Sequence, residues 1–149
     1  MDYIQLGYNF RISNILAALG ISQLAKIKKV IKMRRENADY LTKKLLLIKE
    51  ITVPACPDNC LHLYQMYTIK VGEGRSELMK YLNSRGIMAK VYFHPIHLSA
   101  FYKKSFGYKK GDLPKTEKIS DSVLTLPMYP DLKKAEMDFM AKEIKKFFR

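Results

Sequence analysis

The sequence predicts an α+β fold: a long N-terminal helix followed by a small, mostly antiparallel sheet covered by helices. Three observations carry that prediction. Apolar residues recur at helical spacing from Ile12 to Leu45, with no proline before Pro54. Short runs rich in β-formers, 51–54, 62–71 and 87–93, are separated by turn residues. Helical periodicity returns between those runs and again over the last part of the chain.

Taken in order, residues 1–12 read as irregular, with Gly7 beside Tyr3, Tyr8 and Phe10. Ser13 is a suitable N-cap for a helix over 13–46, whose apolar positions include Leu16, Leu19, Leu24, Ile27, Ile31, Leu41 and Leu45. Gly20 inside it costs roughly 1 kcal/mol of propensity, which predicts close packing or a bend there. Residues 51–54 and 62–71 read as strands, joined through a loop at 57–60. Ser76 is expected to cap a helix that stops at Gly86, a residue suited to a left-handed C-terminal position. A strand over 87–93, a loop at 94–97 and a short aromatic helix over 99–104 follow. Pro114 opens a helix over 114–125, because a first-turn residue needs no N–H donor. Pro127 and Pro130 make 126–130 extended. Asp131 is expected to cap a final helix carrying Leu132, Met137, Met140, Ile144 and Phe147.

With 149 residues, the chain has the length of one ordinary domain. Hydrophobic residues at 48% and charged residues at 28% permit a buried core and exclude a disordered tail. No apolar run approaches the ~18 residues that span a bilayer, and the N-terminus lacks the pattern of a signal peptide. Two cysteines cannot make a disulfide framework. A soluble, cytoplasmic chain with no membrane partner is expected.

Charge is the unusual feature, with 27 Lys and Arg against 14 acids and a formal net charge of +13. Lys26, Lys28, Lys29, Lys32, Arg34 and Arg35 fall in ten acid-free residues, and Lys103, Lys104, Lys109 and Lys110 flank aromatics. Such excess attracts polyanions, phosphates or acidic headgroups, although a lysine-rich face more often serves solubility and steering. Nucleic acid is not the expected partner, since aromatics at strand spacing are core residues more often than stacking platforms.

Several chemistries find no support. Cys56-x3-Cys60 with His62, and His94-x2-His97, fall short of zinc spacing, and Pro95 prevents a regular ligand-bearing helix. No metal is expected. The seven glycines form neither a dinucleotide nor a P-loop pattern, and no nucleophile elbow occurs.

One set of residues is more specific. Gly7-Tyr8-Asn9-Phe10-Arg11-Ile12-Ser13 is followed by Ala17-Ala18-Leu19-Gly20 and Gln23-Leu24. Arg34, Arg35 and Tyr40 come next, then His62-Leu63-Tyr64, then Arg75-x2-Leu78-x3-Leu82-x3-Gly86-Ile87. Tyr92-x-His94-Pro95-Ile96-His97-Leu98, Gly111-Asp112-Leu113-Pro114-x2-Glu117 and Leu126-Pro127-x2-Pro130 complete the series. In this order the pieces resemble the C-terminal part of the DegT/StrS family of pyridoxal-phosphate-dependent nucleotide-sugar aminotransferases. The proline in the Tyr92 to Leu98 loop is displaced relative to the family pattern.

The resemblance implies an interface loop at 1–12, a connecting helix at 13–46 and the small C-terminal domain of a type I aminotransferase at 47–149. It places the large cofactor-binding domain, with its Schiff-base lysine, outside these residues. Asn9 would hydrogen-bond the phosphate of pyridoxal 5'-phosphate across a dimer interface, with Arg11 as a charge-assisted partner. His97 would contact substrate, and no catalytic residue is assigned. The implied reaction moves an amino group from glutamate to a nucleotide-linked keto-sugar for cell-surface polysaccharide synthesis. Some relatives carry out dehydration instead. The resemblance implies a homodimer; the chain alone is expected to self-associate, to be inactive and not to retain the cofactor. The competing expectation is a free-standing basic α+β module that binds nucleic acid or an acidic partner.

Overall fold

The computed structural model of the chain describes residues 7, 8 and 10–149. Helices α1 (Asn14–Leu24) and α2 (Ile27–Leu45) lead into strand β1 (Ile51–Thr52). Strand β2 (Tyr67–Val71) and helix α3 (Arg75–Ser84) follow. A 3-10 turn (Ile96–Leu98), α4 (Ala100–Phe106), α5 (Pro114–Ser122), β3 (Val123–Leu126) and α6 (Lys134–Phe147) complete the order. The three strands form an antiparallel sheet in the order β1-β2-β3, with Ile51 opposite Val71 and Tyr67 opposite Leu126.

Alternation along β2 sends Tyr67, Ile69 and Val71 into the core, where Leu124 and Leu126 of β3 join them. Helix α6 packs against both α2 and α3. Ala38, Leu41 and Leu45 from α2, Leu78 and Leu82 from α3, and Met137, Met140 and Ile144 from α6 close that core. Two polar groups are built into it. The Tyr67 hydroxyl lies 2.6 Å from Thr42 Oγ1, and burial pushes its pKa up to about 12. Glu143 is 3% exposed and accepts from Tyr81 Oη at 2.7 Å and Arg85 Nε at 2.9 Å. The Tyr81 hydrogen bond, more than Arg85, holds its carboxyl below the ordinary carboxylate range.

The polar face of α2 fastens the irregular segments. Arg34 Nη1 donates to the carbonyls of Tyr64 (3.0 Å), Gln65 (3.2 Å) and Met128 (2.9 Å). One turn on, Asn37 Nδ2 donates to the carbonyls of Tyr129 (3.0 Å) and Pro130 (2.9 Å). Tyr40 Oη and Lys44 Nζ both reach the carboxylate of Asp138 on α6, the latter at 2.9 Å.

The structure corrects several expectations. The helix over 13–46 is two helices, because Lys26 N–H bonds Gln23 O in a tightened turn. Its break lies at Ala25–Lys26 and not at Gly20, where nothing stands within 4 Å of an added Cβ. The strand expected over 62–71 begins only at Tyr67. Tyr64 has φ 49°, its N–H bonds the His62 ring, and Arg34 holds the carbonyls that a strand would use. The run 87–93 makes one two-bond bridge, Lys90 with Thr125, and no strand. The helix from Pro114 ends at Ser122; Leu124, Thr125 and Leu126 form a strand buried between β2 and Lys90. Helix α3 starts after Gly74 in the left-handed region and not at a Ser76 cap. Helix α6 starts after Lys133, not Asp131, because the Glu136 carboxylate accepts the Lys133 N–H at 2.8 Å. Ser13 does cap α1, accepting from Leu16 N–H at 3.3 Å.

Arg34→Met leaves the Tyr64, Gln65 and Met128 carbonyls without their donor. Urea unfolding should show a loss of about 1.5–3 kcal/mol, the scale of a hydrogen bond to a charged group. Far-UV circular dichroism should be unchanged.

Candidate functional site

The best-built polar site joins the 3-10 turn, the glycine-containing loop after α4 and the first turn of α5. Pro114 begins α5 and so places Glu117 one turn in, facing back toward the loop. Glu117 accepts the Gly111 N–H at 2.9 and 3.0 Å on its two oxygens, and the Leu113 N–H at 3.4 Å on Oε1. Gly111 has φ 98°, a conformation that L side chains rarely adopt. His97, 5% exposed, completes the set with Nε2 3.0 Å from Glu117 Oε1. The His97 hydrogen bond first, and the Gly111 N–H second, hold the Glu117 carboxyl below its ordinary value. A carboxylate on Nε2 requires the proton there, so Nδ1 is the ring nitrogen left for another partner. Tyr108 sits edge-on to the His97 ring, 6.0 Å between centroids.

Around this buried pair the surface is apolar and basic. Tyr92, Phe93, Ile96, Phe101 and Phe106 are exposed. Lys103, Lys104, Lys109 and Lys110, on α4 and the loop after it, are exposed as well. Among the described residues no group of three His, Cys, Asp or Glu side chains is arranged to hold a metal ion.

Of the sequence-expected residues, His97 is part of this site. Arg11 is exposed just before α1 and has no hydrogen-bond or ion-pair partner among the described residues. Asn9 lies outside the described residues. His97 is buried against the Glu117 carboxylate. Sequence reasoning read the Gly111 to Glu117 signature but missed Glu117 as the partner of His97. Twenty residues separate the two, and only the fold of the loop joins them.

The model of the DegT/DnrJ/EryC1/StrS aminotransferase family matches residues 1–145. Among curated proteins, the pleiotropic regulatory protein of Geobacillus stearothermophilus is 33% identical over 150 residues, 97% of this chain and 39% of that protein. The spore coat polysaccharide biosynthesis protein SpsC of Bacillus subtilis is 30% identical, covering 89% of this chain and 36% of SpsC. Among solved structures, a DegT DnrJ EryC1 StrS aminotransferase from Brucella abortus is 30% identical, with a TM-score of 0.84 over 98% of this chain and 38% of that one. DesV of S. venezuelae, solved with a ketimine intermediate, is 25% identical, with a TM-score of 0.88 over 98% of this chain and 39% of that one. The chain thus spans well under half the length of these relatives. Among the described residues no helix is long and apolar enough to cross a membrane.

The Glu117 carboxyl titrates below its ordinary value near 4.5 in the folded chain. Its contribution to stability is therefore complete above that value and lost as pH falls through the folded-state value. Glu117→Gln should lower the urea midpoint at neutral pH and flatten its decline on acidification. Parallel pH curves for the two proteins would separate Glu117 from acid stability.

Proposed function

The chain belongs to the DegT/DnrJ/EryC1/StrS aminotransferase family, and on that premise we propose that it is the C-terminal portion of a pyridoxal-phosphate-dependent sugar aminotransferase. The match over residues 1–145 is the observation that carries the reading. In this reading the substrate is a nucleotide-linked keto-sugar, glutamate is the amino donor, and residues 13–46 and 47–149 serve as connecting helix pair and small domain. The named role of SpsC in polysaccharide biosynthesis supports the substrate class.

The residues present fit one end of that cofactor. Arg11 offers an exposed guanidinium whose paired N–H groups match a phosphate, and Asn9 would add an uncharged amide donor. The other end needs a nucleophilic lysine, which burial or a neighbouring cation creates. None of the 21 lysines is buried; all are exposed except Lys44, which is partly covered and paired with Asp138. These residues thus supply phosphate donors and a substrate-side wall, and the covalent anchor belongs to the rest of the enzyme. When bound, the cofactor supplies the electron sink for amino transfer. Glu117 holds the His97 ring so that Nδ1, an acceptor in the neutral ring, is the atom that would meet a sugar hydroxyl.

Dialysis after incubation with pyridoxal phosphate, then borohydride trapping and peptide mapping, tests the assignment. The 149-residue chain should yield no dominant labelled lysine and no amino transfer from glutamate. An enzyme of full family length containing these residues should show both, and Asn9→Ala or Arg11→Ala there should weaken cofactor retention tenfold or more, the scale of a charge-assisted hydrogen bond. One dominant label with turnover in the short chain would place a complete site within it.

Assembly gives a second expectation. Leu16 (56% exposed), Leu19 (55%), Leu24 (69%) and Ile27 (44%) form an uncovered apolar surface, and such surfaces rarely persist on monomers. Sedimentation should show concentration-dependent association that Leu16→Ser with Leu19→Ser reduces. A concentration-independent monomer would overturn it.

A further inference from the structure

We propose that Cys56 and Cys60 are a reversible dithiol–disulfide pair, a modification site on the loop that leads into the Arg34 clamp. Both thiols are free and exposed. Cys60 ends, and Cys56 immediately precedes, a turn closed by the Cys60 N–H on the Pro57 carbonyl at 2.9 Å. Cys56 Sγ lies 3.2 Å from the Cys60 carbonyl oxygen and 3.6 Å from that of Pro57, so this sulfur already rests on the backbone of its partner residue. Cys60 Sγ meets only the Asn59 side chain, at 3.5 Å. A side chain's rotation about Cα–Cβ moves its sulfur between staggered positions without moving the backbone, and a bridge needs the two Cβ atoms brought close and facing, which the contact of Cys56 Sγ with the Cys60 backbone favours.

The surroundings favour this chemistry over a metal centre. The nearest imidazole in sequence, His62, already accepts the Tyr64 N–H on Nδ1 at 2.9 Å. No third ligand joins the two thiols among the described residues.

Glutathione disulfide is the oxidant class that fits an exposed pair. The thiolate of one cysteine attacks it, forming a mixed disulfide and expelling one glutathione thiolate. The second cysteine's thiolate then attacks the protein-side sulfur and expels the other glutathione. The protein gives up two protons and two electrons, and the oxidant becomes two reduced glutathiones.

The consequence follows from the connection. Residues 53–66 join β1 to β2, and Arg34 holds the Tyr64 and Gln65 carbonyls at the far end of that span. Closing 56–60 removes conformational freedom from the tether and leaves fewer arrangements for 62–66. The pair shares no residue with the His97–Glu117 site.

The test treats the 149-residue chain with glutathione buffers of increasing oxidation, then reads intact mass and maleimide uptake. The expected product is a monomer lighter by two hydrogen atoms, with no maleimide uptake, and dithiothreitol restores both thiols. Cys56→Ser and Cys60→Ser should each accumulate one glutathione adduct instead. Hydrogen exchange at the Tyr64 amide should slow several-fold in the oxidised chain. Stable glutathione adducts on both cysteines of the unsubstituted chain, or disulfide-linked dimers, would overturn the pair. An unchanged Tyr64 rate would overturn its coupling to the clamp.

Discussion

Five backbone carbonyls, on two segments that no strand pairs, converge on two side chains one turn apart on α2. Arg34 holds those of Tyr64, Gln65 and Met128, and Asn37 those of Tyr129 and Pro130. Backbone outside a ladder depends on other donors for its acceptors, and an acceptor left buried without a partner costs about 1–3 kcal/mol. A guanidinium suits the task because its donors are fixed in a plane and its charge strengthens each bond. The clamp also sets direction. Holding 64–65 and 128–130 against α2 aims β2 and the chain beyond β3 at the same helix, and α6 can then close on α2 through Asp138 with Tyr40 and Lys44.

The parts of the fold that could be read from the sequence were those where local and tertiary preferences agree. Helix α2 has a sided apolar pattern and buries that side; Pro114 and Gly86 sit where their backbone limits put them. Misreadings arose where a tertiary partner took over the backbone. Residues 62–66 have the composition of a strand, yet His62 and Arg34 take the groups that a ladder would need. Residues 123–126 carry apolar side chains that continue a helical period, but β2 and Lys90 pair with their two edges, and the consecutive burial of Leu124, Thr125 and Leu126 leaves no alternation to read. Residues 87–93 do alternate, and only Lys90 finds an edge to bond.

Much the same holds for the site. His97 was identifiable as a residue of interest, and its environment was not, because Glu117 reaches it through a loop whose course depends on Gly111 adopting φ 98°. The arrangement narrows what the histidine can do. With Nε2 committed and the ring buried, it has one nitrogen to offer and no freedom to swing. That suits a group positioned for a single hydrogen bond better than one that shuttles protons between two partners. The carboxylate is committed as well, since two backbone N–H groups and the imidazole occupy its oxygens.

Helix α1 obeys a different logic from the rest. Its eleven residues, NILAALGISQL, are apolar on every side, and none is buried. A helix of that length is marginal alone in water, and one without a polar face is built to be enclosed. Helix α2, by contrast, turns apolar residues to the core and lysines to solvent, beginning at Lys26 and Lys28. The break at Ala25–Lys26 therefore falls where the pattern changes from unsided to sided. On the C-terminal side of it, this core decides which face is inward. On the N-terminal side, Ile15, Leu16, Leu19, Ile21 and Leu24 have no inward direction among the described residues, so the core that organises α2 does not organise α1. The tightened turn between them keeps both helices right-handed in backbone while letting each follow its own packing.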